Sequence, residues 1–230
     1  MGEKYVRRFS LWTRIVHWVH VFAFLGLIYT GLSYFIPQFG FLAAPLGGVK
    51  NALSIHIALG VLFVAMPILS LFTPYPYKGL VKAFTWDKDD NKWMLVFPKF
   101  FFAPARYFKD IVSIPQGKFK AGQKNNVWLV ILFGLTSAVT GFALYYIREL
   151  HSPELLNLKF WLQLIHSLAG TISFSIILGH IYLAIIFPPF QMHGFALWNM
   201  VTGLQPAEEA EQFHRKFYEE ALQEGEVVEK

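Results

Sequence analysis

Residues 161–187 read WLQLIHSLAGTISFSIILGHIYLAIIF and contain no Asp, Glu, Lys or Arg. An α-helix needs about 20 apolar residues to cross the hydrocarbon core of a membrane, so this stretch predicts one transmembrane helix. Three other stretches are free of charge, at residues 15–49, 51–77 and 125–147, and they predict helices over residues 12–36, 52–73 and 127–147. Buried helices of soluble proteins rarely stay free of charge for so long. The sequence therefore predicts an all-α membrane protein with a four-transmembrane-helix bundle.

Basic residues alternate in number along the segments that connect these helices. Four lie before or in the first turn of the first helix and ten lie in the long loop between helices 2 and 3, whereas the other two connections carry one and two. Cytoplasmic segments of membrane proteins are enriched in Lys and Arg. We therefore expect both termini and the long loop to be cytoplasmic in a bacterial inner membrane. The net charge of +5 is then a signal of topology and does not indicate nucleic-acid binding.

Two segments outside the predicted spans carry their own patterns. Residues 93–114 mix aromatic and basic side chains, which is typical of a segment lying against lipid headgroups, and Pro98 and Pro104 are expected to break it. A solvated loop is the alternative. Residues 207–226 have helical spacing of apolar residues and predict a short amphipathic C-terminal helix.

The chain accordingly divides into two predicted domains. Residues 1–206 form the transmembrane domain and residues 207–230 form an acidic cytoplasmic tail. The chain has no cysteine, which excludes disulfides, thiolate-bound iron–sulfur clusters and c-type haem attachment within it. Any iron–sulfur cluster that exchanges electrons with this chain must therefore lie on a partner.

Four histidines lie inside the apolar segments, where such residues are costly and usually functional. In the predicted topology His17 lies near the cytoplasmic surface, and His56 and His166 lie near the outer surface. His180 follows His166 by fourteen residues, which is about 21 Å along a helix and within about 40° of the same face. The depths therefore pair His56 with His166 in an outer site and His17 with His180 in an inner site.

Two imidazoles that face each other across a helix bundle can hold one planar haem. The sequence thus predicts two haems b. Gly60 and Gly170 lie one turn after their histidines, where a missing side chain lets a porphyrin approach, although tight helix packing explains such glycines equally well. Hydrogen-bonding core histidines and a zinc site are the alternatives for the four ligands, but structural zinc takes four ligands. The remaining histidines are interpreted as bundle or surface residues: His20, His151, His193 and His214.

A short internal repeat relates the two halves of the chain. The pattern H-x-x-x-G occurs at 56–60 and at 166–170, and a Thr-Gly pair occurs at 30–31 and at 140–141. Helices 1 and 2 therefore resemble helices 3 and 4, although two short matches are weak evidence for duplication.

Five motifs resemble the gamma subunit of respiratory formate dehydrogenase in order and spacing. They are R-I-V-H-W (14–18), L-S-I-H-I-A-L-G (53–60), A-G-Q-K (121–124), L-I-H-S-L-A-G (164–170) and G-H-I-Y-L-A (179–184). The resemblance implies a four-helix di-haem cytochrome b in which His17, His56, His166 and His180 ligate the haem iron. It also implies a periplasmic iron–sulfur subunit and a catalytic subunit as partners.

The same resemblance implies a site for menaquinone or ubiquinone beside the cytoplasmic haem, near His180. The candidate quinone-binding residues are Ala121, Gly122, Gln123 and Lys124. The family usually has Asn before this element, whereas this chain has Lys120. A cation on a flexible stem replaces a neutral amide there, which predicts an altered quinone site.

These residues together predict electron transfer from a periplasmic iron–sulfur partner through the outer and inner haems to quinone. The apolar stretches contain no carboxylates, so the usual kind of proton-pumping relay is not expected. Three alternatives stay open: a subunit of a membrane-bound hydrogenase or another periplasmic oxidoreductase, a stand-alone di-haem quinone or superoxide oxidoreductase, and a haem-free transport or interaction protein.

Overall fold

The computed structural model describes residues 3–72, 79, 81–150, 152–187 and 196–229. In that part of the chain the helices are α1 (Leu11–Phe35), α2 (Val49–Ser70), α3 (Lys88–Phe102), α4 (Pro104–Val112), α5 (Ala121–Ile147), α6 (Glu154–Ile181), α7 (Ala196–Thr202), α8 (Ala207–Phe213) and α9 (Arg215–Glu224). The strands are β1 (Lys4–Arg7), β2 (Leu204–Pro206) and β3 (Val227–Glu229). A 3₁₀ segment (Pro37–Leu46) joins α1 to α2, and a π-helical segment (Tyr182–Ile186) follows α6.

Four helices are long and apolar enough to cross a membrane, and they are α1, α2, α5 and α6 with its π-helical extension. This confirms the predicted four-span all-α architecture. The predicted starts of the third and fourth spans were too late, since α5 begins at Ala121 and α6 at Glu154. The reason is that both helices begin with polar turns, which a search for charge-free stretches leaves out.

The long helices bury small side chains and expose large apolar ones. Buried residues include Thr30, Ala52 and Ala169, whereas more than half of the surface of Phe22 and Leu132 is exposed. Water-soluble proteins rarely expose apolar surface on this scale. A lipid-facing surface accounts for the pattern, and small buried residues let membrane helices pack closely.

The chain divides into two compact units. The bundle unit comprises Ile15–Phe72 and Leu129–Ile177, and the sheet unit comprises Met1–Arg14, Thr73–Trp128 and Leu178–Lys230. The predicted boundary at residue 206 falls between β2 and α8, two neighbouring elements of the sheet unit. The division into a transmembrane domain (1–206) and a tail (207–230) stays a prediction.

The bundle unit contains α2 and the larger parts of α1, α5 and α6. A side chain at Gly26 of α1 would meet Leu59 of α2 at 2.6 Å, and one at Gly134 of α5 would meet Phe63 of α2 at 3.3 Å. Side chains of α2 therefore pack directly against these two glycines. The hydroxyl of Tyr29 donates to the Leu42 carbonyl (3.0 Å), which ties the 3₁₀ segment to α1.

The sheet unit contains a three-stranded antiparallel sheet that the sequence analysis did not predict. Its strand order is β2-β1-β3, so the N-terminal strand lies in the middle. Val6 of β1 is fully buried against Ala210 and Phe217 of the tail. The tail also differs from the prediction of one helix, since α8 ends at Phe213 and α9 begins at Arg215.

The long loop contains α3 and α4, which contribute to a buried apolar cluster that includes Trp93, Phe100 and Ile111. The expectation that two prolines break this segment was half wrong. Pro98 lies inside α3, and only Pro104 marks a break, because it occupies the first turn of α4, where its missing N–H costs nothing. The placement of this segment on the lipid surface stays a prediction.

Candidate functional site

His56 of α2 and His166 of α6 face each other inside the bundle unit. Their ring centroids are 6.1 Å apart, their ring planes are inclined by 70°, and both side chains are half-buried. Both lie toward the helix ends nearest the connections at 36–48 and 148–153. The structure therefore brings together the two residues of the predicted outer site.

The separation of the two rings fits axial ligation of one metal ion. Metal–imidazole bonds of about 2.0–2.1 Å on both sides, plus the distance from each coordinating nitrogen to its ring centre, separate two axial rings by about 6 Å. Among the described residues, no three His, Cys, Asp or Glu side chains cluster as metal ligands. A planar haem needs only the two axial ligands, since the porphyrin supplies the other four.

Gly60 and Gly170 leave space one turn after the two histidines. A side chain built at either glycine would meet no described atom within 4 Å. Tight helix packing would place a neighbouring helix against these positions, as it does at Gly26. A contact of Gly60 and Gly170 with a porphyrin stays a prediction.

The two Thr-Gly pairs of the internal repeat contact these histidines, which the sequence analysis missed. Thr30 Oγ1 lies 2.9 Å from His56 Nδ1, and Thr140 Oγ1 lies 3.2 Å from His166 Nδ1. Each threonine precedes its histidine by 26 residues. The equal spacing in the two halves is the signal that could have identified them.

The two residues of the predicted inner site belong to different units. His17 lies near the start of α1, with its ring edge-on to Trp18 at 5.4 Å, and belongs to the bundle unit. His180 belongs to the sheet unit and lies one residue before the end of α6, where the π-helical segment begins. Single π turns in helices occur frequently at functional sites. The pairing of His17 with His180 stays a prediction from the sequence.

The A-G-Q-K element at 121–124 forms the first turn of α5, although the sequence analysis placed it in a loop. Ala121 is fully buried, and its N–H donates to Gln116 Oε1 (2.8 Å). A side chain at Gly122 would lie 3.0 Å from the Trp93 ring, so the glycine lets α3 approach α5. These contacts give both residues a structural role.

The other two residues of the element are held by hydrogen bonds. Gln123 Oε1 accepts from the backbone N–H of Lys120 (2.9 Å), which caps the start of α5. Lys124 Nζ donates to Asp90 Oδ2 (2.6 Å), and both side chains of this ion pair are more than nine-tenths buried. A buried pair of this kind fixes α5 to the start of α3. Quinone binding by 121–124 stays a prediction.

Lys120 lies among charged and aromatic groups of the N-terminal segment and the tail. Its ammonium lies 4.8 Å from the centre of the Phe213 ring. Burial and, to a smaller extent, the nearby charge of Arg8 lower the pKa of Lys120 against the opposing effect of Glu209, and the result is a pKa of about 7. The cation that replaces the usual Asn therefore titrates near neutral pH.

The remaining histidines have structural contacts where they are described. The ring nitrogens of His20 lie 2.9 and 3.1 Å from the carbonyls of Val16 and Phe63, as expected for a bundle residue. The interpretation of His214 as a surface residue was wrong. It is 3% exposed, and its Nδ1–H donates to the Gly117 carbonyl (2.8 Å). The tail packs against the loop there, and His151 and His193 lie outside the described residues.

Comparison with known proteins identifies a matching family and several relatives. The family model described as prokaryotic cytochrome b561 matches residues 8–203. The formate dehydrogenase cytochrome b556 subunit of Haemophilus influenzae is 28% identical over 225 residues, covering 91% of this chain and 80% of that protein. The nitrate-inducible formate dehydrogenase cytochrome b556(Fdn) subunit of Escherichia coli K12 is 25% identical over 95% of this chain and 92% of its own length. The formate dehydrogenase cytochrome b556(fdo) subunit of the same strain is 26% identical over 93% of this chain and 92% of its own length.

Proposed function

Since the chain belongs to the prokaryotic cytochrome b561 family, we propose that it holds two haems b and carries electrons between a periplasmic iron–sulfur partner and membrane quinone. The chain is a multi-pass bacterial membrane cytochrome b that works in electron transfer. When bound, the haems supply one-electron redox centres within the membrane. The residues of this chain bind and orient them.

The approach of His56 and His166 carries the proposal for the outer haem. Their ring centres are separated by 6.1 Å, so both imidazoles would reach one haem iron held between them. Gly60 and Gly170 leave room beside them. The inner haem, held by His17 and His180, rests on the predicted depths of these two residues in the sequence and on the family resemblance.

The partner is proposed to be a periplasmic iron–sulfur subunit with a formate-oxidising catalytic subunit. The support is that the curated relatives are named as cytochrome subunits of formate dehydrogenase and align along most of this chain. The absence of cysteine agrees with this, because the clusters must then lie on another subunit. A partner that binds at the outer surface would meet the short connections at 36–48 and 148–153.

Quinone is proposed to bind near His180 and residues 121–124, on the cytoplasmic side of a bacterial inner membrane. The N-terminal segment and the long loop, which carry many basic residues, belong to the sheet unit, and so does the acidic tail. This supports a common side of the membrane for both termini and the long loop. Lys120, with a pKa of about 7, exchanges its proton near neutral pH. A group of this kind suits a site where quinone reduction takes up protons.

Haem content per chain of single and double histidine variants tests the proposed ligand pairs. We expect two haems b in the purified wild-type chain and one in His56→Ala or His166→Ala. The double variant of these two residues should also keep one haem, because both ligate the same iron. His56→Ala combined with His180→Ala should lose both, and His180→Ala alone should stop quinone reduction.

His20→Ala is the matched control for these variants. It also removes an imidazole from the bundle, but one whose ring nitrogens face backbone carbonyls, so two haems per chain are expected. A double His56→Ala/His166→Ala chain that lost both haems would contradict the pairing. An unchanged haem spectrum in every single variant would contradict the ligand set.

A further inference from the structure

The two hairpins of the bundle unit repeat one contact between a threonine and a histidine. Thr30 contacts His56 and Thr140 contacts His166, with the oxygen of each hydroxyl 2.9 and 3.2 Å from Nδ1 of the ring. The two threonines are 110 residues apart in the sequence, and so are the two histidines. A contact preserved at equal spacing in two halves of one chain argues for a shared role.

The hydrogen-bond partners fix which atom carries the proton. Thr30 Oγ1 donates its single hydrogen to the Gly26 carbonyl (2.7 Å), so it can only accept from the ring of His56. The Leu27 carbonyl, which can also only accept, faces the same ring. The proton of the neutral His56 ring therefore lies on Nδ1, and Nε2 keeps its lone pair.

The second hairpin follows the same pattern. Thr140 Oγ1 donates to the Thr136 carbonyl (2.7 Å), and the Ser137 carbonyl accepts from Nδ1 of His166 at 2.9 Å. Ser137 stands three residues before Thr140, as Leu27 stands before Thr30. Nε2 of His166 is therefore also the nitrogen that keeps its lone pair for a metal.

The glycine after each threonine lets the ring lie against the helix backbone. A side chain at Gly31 would lie 3.5 Å from the His56 ring, and one at Gly141 would lie 3.0 Å from the His166 ring. Thr30 and Thr140 are 2% and 7% exposed, in helices whose large side chains mostly face outward. Each Thr-Gly pair, 30–31 and 140–141, thus forms a cradle for one imidazole.

We propose that Thr30 and Thr140 are positioning residues that fix the tautomer, orientation and basicity of the two outer haem ligands. The inference rests on the proposed function, since it takes the ligated group to be haem b. A histidine that donates its second ring N–H to an acceptor is a more basic ligand. A more basic ligand stabilises ferric over ferrous iron, so the cradles should hold the midpoint potential of the outer haem low.

Thr30→Val tests the proposal in the full-length purified chain, because valine keeps the shape of threonine and removes its oxygen. We expect two haems per chain and a rise in the midpoint potential of the outer haem. A tenfold change in relative ferric and ferrous affinity corresponds to about 59 mV for one electron. Thr140→Val should raise the potential in the same direction, and in both variants one backbone carbonyl, that of Leu27 or of Ser137, still accepts from the ring.

Two further variants separate this role from simple packing. Thr30→Ser keeps the hydroxyl, so the midpoint potential of its outer haem should equal that of the wild type. Thr171→Val is the matched control, since the Thr171 hydroxyl donates to the Ser167 carbonyl of its own helix on an exposed face. Its potential should equal that of the wild type.

The outcomes distinguish this inference from the proposed function. A wild-type chain without haem overturns the proposed function. Two haems with an unchanged potential in Thr30→Val, or a Thr30→Ser chain that behaves like Thr30→Val, overturns the positioning role alone. If Thr30→Val loses the outer haem, Thr140→Val carries the test, and an unchanged potential there overturns the inference.

Discussion

Gly141→Ala should weaken the outer haem site, whereas Gly31→Ala should leave it nearly intact. The new Cβ at position 141 would lie 3.0 Å from Cε1 and 3.4 Å from Nδ1 of His166. Ordinary contacts of this kind begin near 3.4 Å, so the ligand ring must move by a few tenths of an ångström. The Cβ at position 31 would lie 3.5 Å from the His56 ring, which requires no movement.

The cost of the displacement can be estimated from overpacking. Inserting a methyl group into a well-packed site costs about 1–3 kcal/mol. Because 1.4 kcal/mol is about tenfold in affinity, Gly141→Ala should lower haem affinity by about ten- to a hundredfold. Both variants replace a helical glycine by alanine, so the gain in helix propensity of about 1 kcal/mol is common to both.

The assay measures how much haem each purified variant keeps when an excess of a different, haem-free haem-binding protein competes for it. Gly141→Ala should lose its outer haem at a competitor concentration at which Gly31→Ala and the wild type keep theirs. Equal retention by the two variants would refute the reasoning. Greater loss from Gly31→Ala would also refute it, since the distances at the two glycines predict the opposite order.

Three other predictions concern the sheet unit and the electronic structure of the site. Asp90→Asn should cost about 3–5 kcal/mol of unfolding free energy by leaving Lys124 buried without its partner, and the added Lys124→Met change should recover part of it. Unfolding by denaturant measures both values, and a wild-type stability for Asp90→Asn would contradict the role of the pair. Between pH 7 and 10.5 the unfolded chain holds a proton on Lys120 that the folded chain releases, so this residue makes stability rise with pH. Thermal melts of Lys120→Met should show a weaker rise than the wild type, and an equal rise would refute this. In the His180→Ala chain, which should keep only the outer haem, the 70° between the ring planes of His56 and His166 predicts a highly anisotropic low-spin ferric signal in electron paramagnetic resonance, and a rhombic signal there would contradict it.

The four spans and the outer histidine pair could be predicted because their signals are local. The length of a charge-free stretch shows whether it can cross a membrane, and the position of a histidine within the stretch gives its depth. The four spans are confirmed, although their starts shifted by up to seven residues at α6, which begins at Glu154 and not at 161. The start of a helix depends on capping hydrogen bonds, such as the one that Gln123 Oε1 accepts from the Lys120 N–H. A hydropathy pattern does not show such hydrogen bonds.

The sheet unit could not be predicted because its contacts join distant parts of the chain. Arg7 pairs with Leu204 and Val6 with Val227, about as far apart as the sequence allows. A four-residue strand such as K-Y-V-R gives no signal of its own until its partners are known. The burial of His214 was missed for the same reason, since the composition of the tail is that of a solvated segment.

The Thr-Gly cradles could be predicted from the sequence only in part. The sequence contains the repeat at 30–31 and 140–141, but a repeat alone does not say what a threonine touches. The contact with a histidine 26 residues later joins neighbouring helices, and only their packing reveals it. Repeated pairs at a fixed distance from candidate ligands are thus a usable signal for groups that orient those ligands.

A reduced-minus-oxidised optical spectrum of the purified chain, with haem quantified per chain, tests the central claim most directly. We expect the absorption bands of haem b and two haems per chain. The absence of haem would contradict the account and leave His56 and His166 in need of another explanation. One haem per chain would contradict the four-ligand assignment.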